Sequence, residues 1–254
     1  MKRFIYGPIK SRRLGNSLGV NIFPSKICSF DCVYCECMKS SDIIIERKEF
    51  YPPEEIIKEI NDFLAETKEP VDYVTFSGSG EPTLHSGLGT IIRGIKSAFP
   101  DVKVAVLTNS SLLYQEDVRN DLMDADLVSP SLDAVTEEAF VAIDRPHEKI
   151  TVDMVVNGLK EFTKAFKAKD ADKQIWVEVF LIEGINTDKA HTSKLINVLK
   201  ELEIDRVQLN SLDRTGTEEW VEAVSYQTME EIKKDIESSG IKAVIEIIKK
   251  NIRL

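Results

Sequence analysis

The sequence predicts an α/β fold, a partial (β/α)6 TIM-like barrel of parallel strands, with a doubly wound open sheet as the rival architecture. Three observations carry this reading. Strand-like and helix-like periodicities alternate along the chain. Polar residues gather after the C-terminal end of each of six predicted strands. No Pro/Gly/Ser-rich stretch divides the 254 residues. One domain is therefore expected over 1–254, with its core at about 16–215, a basic segment 1–15 before it and an extension 216–254 after it.

Residues 18–23 (LGVNIF) read as the first strand, followed by a loop that holds every cysteine. Residues 54–67 (EEIIKEINDFLAET) repeat apolar side chains at helical spacing. The β-branched and aromatic run 71–77 reads as a strand and 88–98 as a helix. A strand at 102–108 and a short helix near 114–124 follow. The next unit is a strand at 126–133, with helices at 135–142 and 151–167. Then come a strand at 175–182, a helix at 188–202, a strand at 205–212 and a helix at 227–238. The tail 241–254 fits either strand or helix.

Composition narrows the function classes. With 43% hydrophobic and 30% charged residues the chain is neither disordered, collagen-like nor a disulfide scaffold. Lys and Arg number 33 against 43 Asp and Glu, a net charge of −10, which disfavours broad binding to phosphate backbones. No run reaches the length of about 18 apolar residues needed to span a membrane. The opening MKRFIYGPIKSRR lacks the apolar block of a secretory signal. A cytoplasmic protein with no membrane partner is expected.

The cysteines give the sharpest signal. Cys28, Cys32, Cys35 and Cys37 lie together and no other cysteine occurs. A disulfide framework would spread them to close loops. The spacing Cys28-x3-Cys32-x2-Cys35 lets one short loop bring three thiolates to three corners of an iron–sulfur cube, leaving one iron open. Structural zinc on all four cysteines is the alternative. Cys37 is expected to be a bystander, with a fourth thiolate for a cofactor-free cluster as the other reading.

The loops after the remaining strands supply polar groups. Ser129, Ser131 and Asp133 are spaced by two and so share a face, as do Gln208 and Asn210, and Glu178 sits mid-strand between two valines. The turn Gly78-Ser79-Gly80-Glu81 admits a ligand close to the backbone, and Glu81 offers a carboxylate to an ammonium group. Tyr34 puts a ring inside the cysteine loop, for an adenine or for loop packing. Lys2, Arg3, Lys10, Arg12, Arg13 and Lys26 make the N-terminus basic. They suit a phosphate or carboxylate, or they anchor the segment to acidic strand ends. Arg145 and His147 lie between two helices as candidate substrate contacts.

Cys28-Ser29-Phe30-Asp31-Cys32-Val33-Tyr34-Cys35 resembles the CxxxCx(aromatic)C signature of the radical S-adenosylmethionine (SAM) superfamily. Ser79-Gly80-Glu81-Pro82 resembles its GGE motif, with Ser79 replacing one glycine, and Ser131-Leu132-Asp133 resembles its ribose-contacting fourth strand. The opening Gly7-Pro8 and Ser11 to Val20, with Gln208-Leu209-Asn210 and Asp213-Arg214, resemble a subgroup related to wybutosine-type iron–sulfur oxidoreductases.

The resemblance implies a [4Fe–4S] cluster on Cys28, Cys32 and Cys35, and SAM chelated to the open iron. It implies Gly80 and Glu81 at the methionine end, Ser131 and Asp133 at the ribose, Tyr34 at the adenine, and Asn109 near cofactor or substrate. The reaction implied is reductive cleavage of SAM to a 5′-deoxyadenosyl radical that takes hydrogen from a small molecule or peptide. An electron donor such as flavodoxin or ferredoxin is implied as partner. A tRNA-modifying enzyme, a glycyl-radical activase and a non-catalytic metal-binding module are the competing readings, and the net charge counts against RNA.

Overall fold

Val74 and Phe76, Val104 and Val106, Val177 and Val179, and Val207 and Leu209 are fully buried and each pair is spaced by two, so each strand turns one apolar edge the same way. All of these side chains join one cluster with Ile56, Ile91, Val118, Phe140, Leu159, Leu195 and Ile232 of the helices. The helices therefore cover one face of the sheet. The other face carries Ser17, Thr75, Ser129, Glu178 and Gln208. A doubly wound sheet needs both faces apolar, so the polar second face marks the inner wall of a partial barrel.

The computed structural model describes residues 3–37, 39–40, 42–214 and 216–248. In chain order the elements are β1 (Ile5–Ser11), β2 (Gly15–Val20), β3 (Ile27–Cys28), β4 (Asp42–Ile43) and α1 (Pro53–Glu66), then β5 (Tyr73–Phe76), α2 (Leu88–Ala98), β6 (Lys103–Thr108), α3 (Glu116–Leu122) and β7 (Leu127–Pro130). They continue with α4 (Glu137–Ile143), α5 (Val152–Lys169), β8 (Gln174–Phe180), α6 (Lys189–Leu199), β9 (Arg206–Asn210), α7 (Tyr226–Ser238) and β10 (Val244–Ile247). The main sheet has the order β1-β2-β5-β6-β7-β8-β9-β10. All neighbours pair parallel except β1 and β2, which form an antiparallel hairpin. Thr136, Thr151, Asp188 and Ser225 cap α4, α5, α6 and α7 through their side chains, each contributing about 1 kcal/mol.

The structure departs from the sequence reading at both ends. The sequence reading assigns no strand to the basic segment 1–15, yet residues 5–11 form an edge strand on β2. The first strand runs Gly15–Val20 rather than 18–23; Asn21 N–H still meets the Phe4 carbonyl at 2.8 Å, and beyond it Phe23 packs edge-on against Phe50. In the undecided tail, Val244–Ile247 is a strand parallel to β9, which makes a seventh parallel strand. Residues 249–254 and Lys2 lie outside the described residues.

The turn between β1 and β2 reaches across the inner face. Arg13 donates to Glu178 of β8 and to Gln208 of β9, the latter at 3.3 Å. Arg12 pairs with Asp213 at 3.3 Å, and Leu14 packs on Ala105, Leu127 and Trp176. Arg12 and Arg13 therefore anchor the hairpin to acidic groups, the second of the two roles the sequence allowed them. Arg3 likewise pairs with Glu55 at 2.9 Å and Lys26 with Asp31 at 3.8 Å.

Gly158 in α5 tests how tightly the helical layer holds the site loops. A methyl there would sit 2.6 Å from the backbone carbon of Leu113, in the segment that follows the Thr108–Ser111 loop. Exposed Gly→Ala changes in helices gain about 1 kcal/mol. Backbone cannot yield as a side-chain tip does, so Gly158→Ala is expected to lower the melting temperature, read by thermal denaturation.

Candidate active site

The cysteine loop is held on three sides by chain drawn from distant sequence. Below it, Ile27 N–H donates to the Ser79 carbonyl at 3.1 Å and Glu81 N–H to the Ile27 carbonyl at 3.0 Å. Gly80 lies in this pairing, and a Cβ there would collide with the Ile27 carbonyl oxygen and sit 2.7 Å from the Phe23 ring. To one side, Asp31 N–H donates to the Asp144 carbonyl at 3.0 Å and Val33 N–H to the Ile143 carbonyl at 2.9 Å. Above, Glu218 N–H donates to the Val33 carbonyl at 3.0 Å, and the Thr217 hydroxyl donates to the Cys35 carbonyl at 3.1 Å. Arg145 pairs with Glu218 at 2.6 Å, so it ties the strap 216–218 to the loop 143–147. His147 N–H donates to the Ser29 carbonyl at 2.9 Å.

The three expected ligands face one another. Burial pushes the Cys28 thiol up to about 12, with the Glu81 carboxylate adding to it. Burial, then the Asp144 carboxyl, raises Cys32 well above the ordinary thiol value. Cys35 moves the other way, to about 6, held there first by a hydrogen bond from Cys37 and further by Lys26. Cys28 and Cys35 each raise Cys32, and Cys35 raises Cys28. The three thiols lie near enough to repel one another as thiolates, a repulsion that a positively charged iron group would relieve. Among the described residues no three His, Cys, Asp or Glu side chains are arranged to hold a single metal ion. The residues present therefore fit a cluster bound by soft sulfur donors.

Around the sulfurs lie two buried polar chains. In the first, Asn109 Nδ2 approaches Cys28 Sγ at 3.5 Å and donates to the Ser29 hydroxyl at 3.0 Å, while Asn109 N–H donates to Glu81 Oε2 at 2.7 Å. Glu81 Oε1 accepts from Thr83 N–H at 3.0 Å, Thr83 Oγ1 at 2.7 Å and Thr108 Oγ1 at 2.7 Å. The Glu81 carboxylate is 2% exposed and turned into the protein. Its role in this structure is to position Asn109 and Thr108, where the sequence reading had it meet an ammonium group directly.

In the second chain, Cys32 Sγ lies 3.5 Å from Asp144 Oδ1, Asp144 and Asp133 share a hydrogen bond, and the Tyr34 hydroxyl donates to Asp133 Oδ2. Asp133 Oδ1 accepts Phe180 N–H at 2.8 Å. Burial pushes Asp133 up to about 7, against the hydrogen bond from Tyr34 that favours its charge. The Tyr34 ring stacks on Phe180, centroids 3.8 Å apart. Ser131 lies beyond the end of β7, its carbonyl accepting the Ser110 hydroxyl at 2.7 Å. Asp133 lies past the strand as well, so the expected alternation holds at Ser129 and is lost beyond Pro130.

Asp144, Phe180 and the strap 216–218 escaped the sequence reading as members of the site. Asp144 lies in the run Asp144-Arg145-Pro146-His147, which drew notice for its cations rather than its acid. Asn186 donates to the carbonyls of Asp133 and Phe180, both at 2.8 Å, a role no motif announces. Cys37 is exposed and its Sγ donates to the Gly78 carbonyl at 3.4 Å.

Two substitutions probe this arrangement. Desolvation raises the Glu81 pKa, so removing its charge would relieve a burial cost. Four donors point at its oxygens, however, and an amide would turn its own NH2 on one of them. Glu81→Gln is expected to destabilise by about 1–3 kcal/mol in chemical denaturation. Cys37→Ala is expected to keep the iron content of anaerobically reconstituted protein, whereas Cys32→Ala loses it. Iron loss in Cys37→Ala would overturn the ligand assignment.

Comparison with known proteins agrees with this geometry. The sequence profile of the Radical SAM superfamily matches residues 22–196. The chain is 40% identical over 235 residues to a Brachyspira hyodysenteriae protein named GTPase Obg, covering 92% of this chain and 34% of that one. It is 36% identical over 228 residues to the UPF0026 protein MJ1312 of Methanocaldococcus jannaschii, covering 89% of this chain and 69% of that protein. Among solved structures, a radical SAM methyltransferase from Sphaerobacter thermophilus superposes with a TM-score of 0.67 at 15% identity, covering 91% of this chain and 66% of that one. That likeness is one of fold. This chain thus spans about a third of its Brachyspira relative and about two thirds of its archaeal one. Three thiols on the loop after the first barrel strand, the partial barrel beneath them and the matching profile lead to one conclusion: the chain belongs to the radical SAM superfamily, whose members use a [4Fe–4S] cluster and SAM.

Proposed function

We propose that this radical SAM enzyme holds its cluster on Cys28, Cys32 and Cys35 and uses it to take a hydrogen atom from a small organic substrate, with an electron donor such as flavodoxin or ferredoxin. The observation that carries the reading is the proximity of three thiols on one loop, Cys28 and Cys35 each acting on Cys32. When bound, the cluster supplies the one-electron cleavage of the SAM sulfonium. This chain's residues bind, orient and exclude water.

Asn109 orients the Cys28 sulfur, and an N–H facing a cluster sulfur tunes its potential. On this reading the turn Gly78 to Gly80 takes the methionine end. Tyr34, flat against Phe180, presents an aromatic ring for adenine, and Asp133 and Ser131 lie at the ribose side. The buried Asp144 and Asp133 carboxyls keep the Cys32 side dry and well connected.

The activase reading requires a barrel open at its side to a large partner. Here the hairpin turn and the Arg12 and Arg13 ion pairs occupy the inner face, which favours a small substrate.

Anaerobic reconstitution should give brown protein with about four irons per chain. On reduction with dithionite in the presence of SAM it should release 5′-deoxyadenosine and methionine, and Cys32→Ala should release neither. Colourless protein with one zinc, or reduced cluster-loaded protein that forms no 5′-deoxyadenosine, overturns the reading.

A further inference from the structure

The hairpin and the inner wall of the sheet enclose a cavity of about 400 Å³. Its lining includes Lys10, Arg12, Arg13 and Arg214 and, among the described residues, no carboxylate. This is unexpected in a chain with a net charge of −10. Three of the four cations have an acidic partner: Arg12 pairs with Asp213 at 3.3 Å, Arg13 with Glu178, and Arg214 with Glu36 at 3.3 Å. Each of these acids lies outside the cavity lining. Lys10 has no ion pair or side-chain hydrogen bond among the described residues.

One end of the cavity borders the segment that touches the cysteine loop. Ser77 lines it, and the next residue, Gly78, accepts the hydrogen bond from Cys37 at its carbonyl. Tyr6 marks the same end. A register shift between Tyr6 and Ile9 breaks the β1–β2 ladder, and such bulges re-aim side chains. The Tyr6 ring lies over Gly19 and its hydroxyl meets that of Ser77 at 2.8 Å. Asn210 and the hydroxyls of Ser17 and Thr75 complete the polar wall.

Cations around a recess with low-dielectric walls raise the local concentration of anions, and guanidinium groups match the geometry of phosphate and carboxylate oxygens. A volume of this size takes a small molecule rather than a folded partner. We propose that this cavity binds the substrate of the radical reaction through an oxyanion group, a phosphate or a carboxylate, gripped by Lys10 and Arg214 with Arg13 as its floor. The inference rests on the function proposed above and adds the class of substrate.

Isothermal titration of cluster-loaded, SAM-bound protein with inorganic pyrophosphate, with citrate and with neutral erythritol tests it. At least one anion should bind, more weakly as salt shortens the Debye length to about 3 Å, and erythritol should not bind. Pyrophosphate alone identifies a phosphate substrate, and citrate alone a carboxylate. The double variant Lys10→Gln/Arg214→Gln should weaken binding at least about tenfold, or about 1.4 kcal/mol, and Lys10→Arg/Arg214→Lys should restore most of it. Both positions are exposed, so the changes spare the core. Should the neutral pair fail to fold, the salt dependence of the unaltered protein still decides. Failure of both anions to bind, salt-independent binding, or binding unchanged in the double variant overturns the proposal. The titration needs no turnover, so its failure leaves the radical reading intact. Conversely, absent 5′-deoxyadenosine does not affect the titration.

Discussion

One buried carboxylate holds the site together. Glu81 links the loop after β5 to the loop after β6 through Thr108 and Asn109, and Asn109 in turn reaches Cys28. A carboxylate with almost no exposure is costly to bury unless its lone pairs are filled. Here four donors fill them, so the cost of burial becomes a constraint on geometry. The loops that would carry cofactor and cluster cannot shift independently without stranding that charge.

The inner wall of the barrel follows a second electrostatic logic. Its strands alternate apolar side chains toward the helices with a mixed set toward the interior: Ser17, Thr75, Ser129, Glu178 and Gln208 beside the patch of Ala105, Leu127 and Trp176 under Leu14. The interior charges are then tied across the sheet by Arg13, Glu178, Gln208 and Asn210. In a complete barrel, packed layers of aliphatic side chains fill this space. Here an N-terminal hairpin fills part of it, with Leu14 as its apolar tip and two arginines as its clamps. The same arrangement leaves a recess lined by Ser17, Thr75, Ser77 and Asn210 rather than a solid core.

Much of this was legible in the sequence because each unit obeys local rules. The four later helices begin where Thr, Asp or Ser caps them, and the strands show period-2 apolar spacing. The cysteine spacing named the chemistry before any coordinates. What was hidden depends on contacts across long sequence distances. No periodicity in IYGPIKS says that it pairs with β2, because an edge strand is solvated and carries Gly, Pro and Lys. Glu81 was conspicuous in its motif, but only packing shows that its oxygens face inward. Asp144 and Asn186 carry no motif, since a buried acid and a buried amide are recognised by their partners. The strap 216–218 was read as the start of an extension, and its role depends on lying against a loop near the other end of the chain.

That strap has a consequence for how the protein is made. Thr217 clasps the Cys35 carbonyl across 182 residues of sequence, so the cysteine loop leaves the ribosome long before its cover does. At about 5–20 residues per second, the thiols stay uncovered for tens of seconds at the slow end of that range.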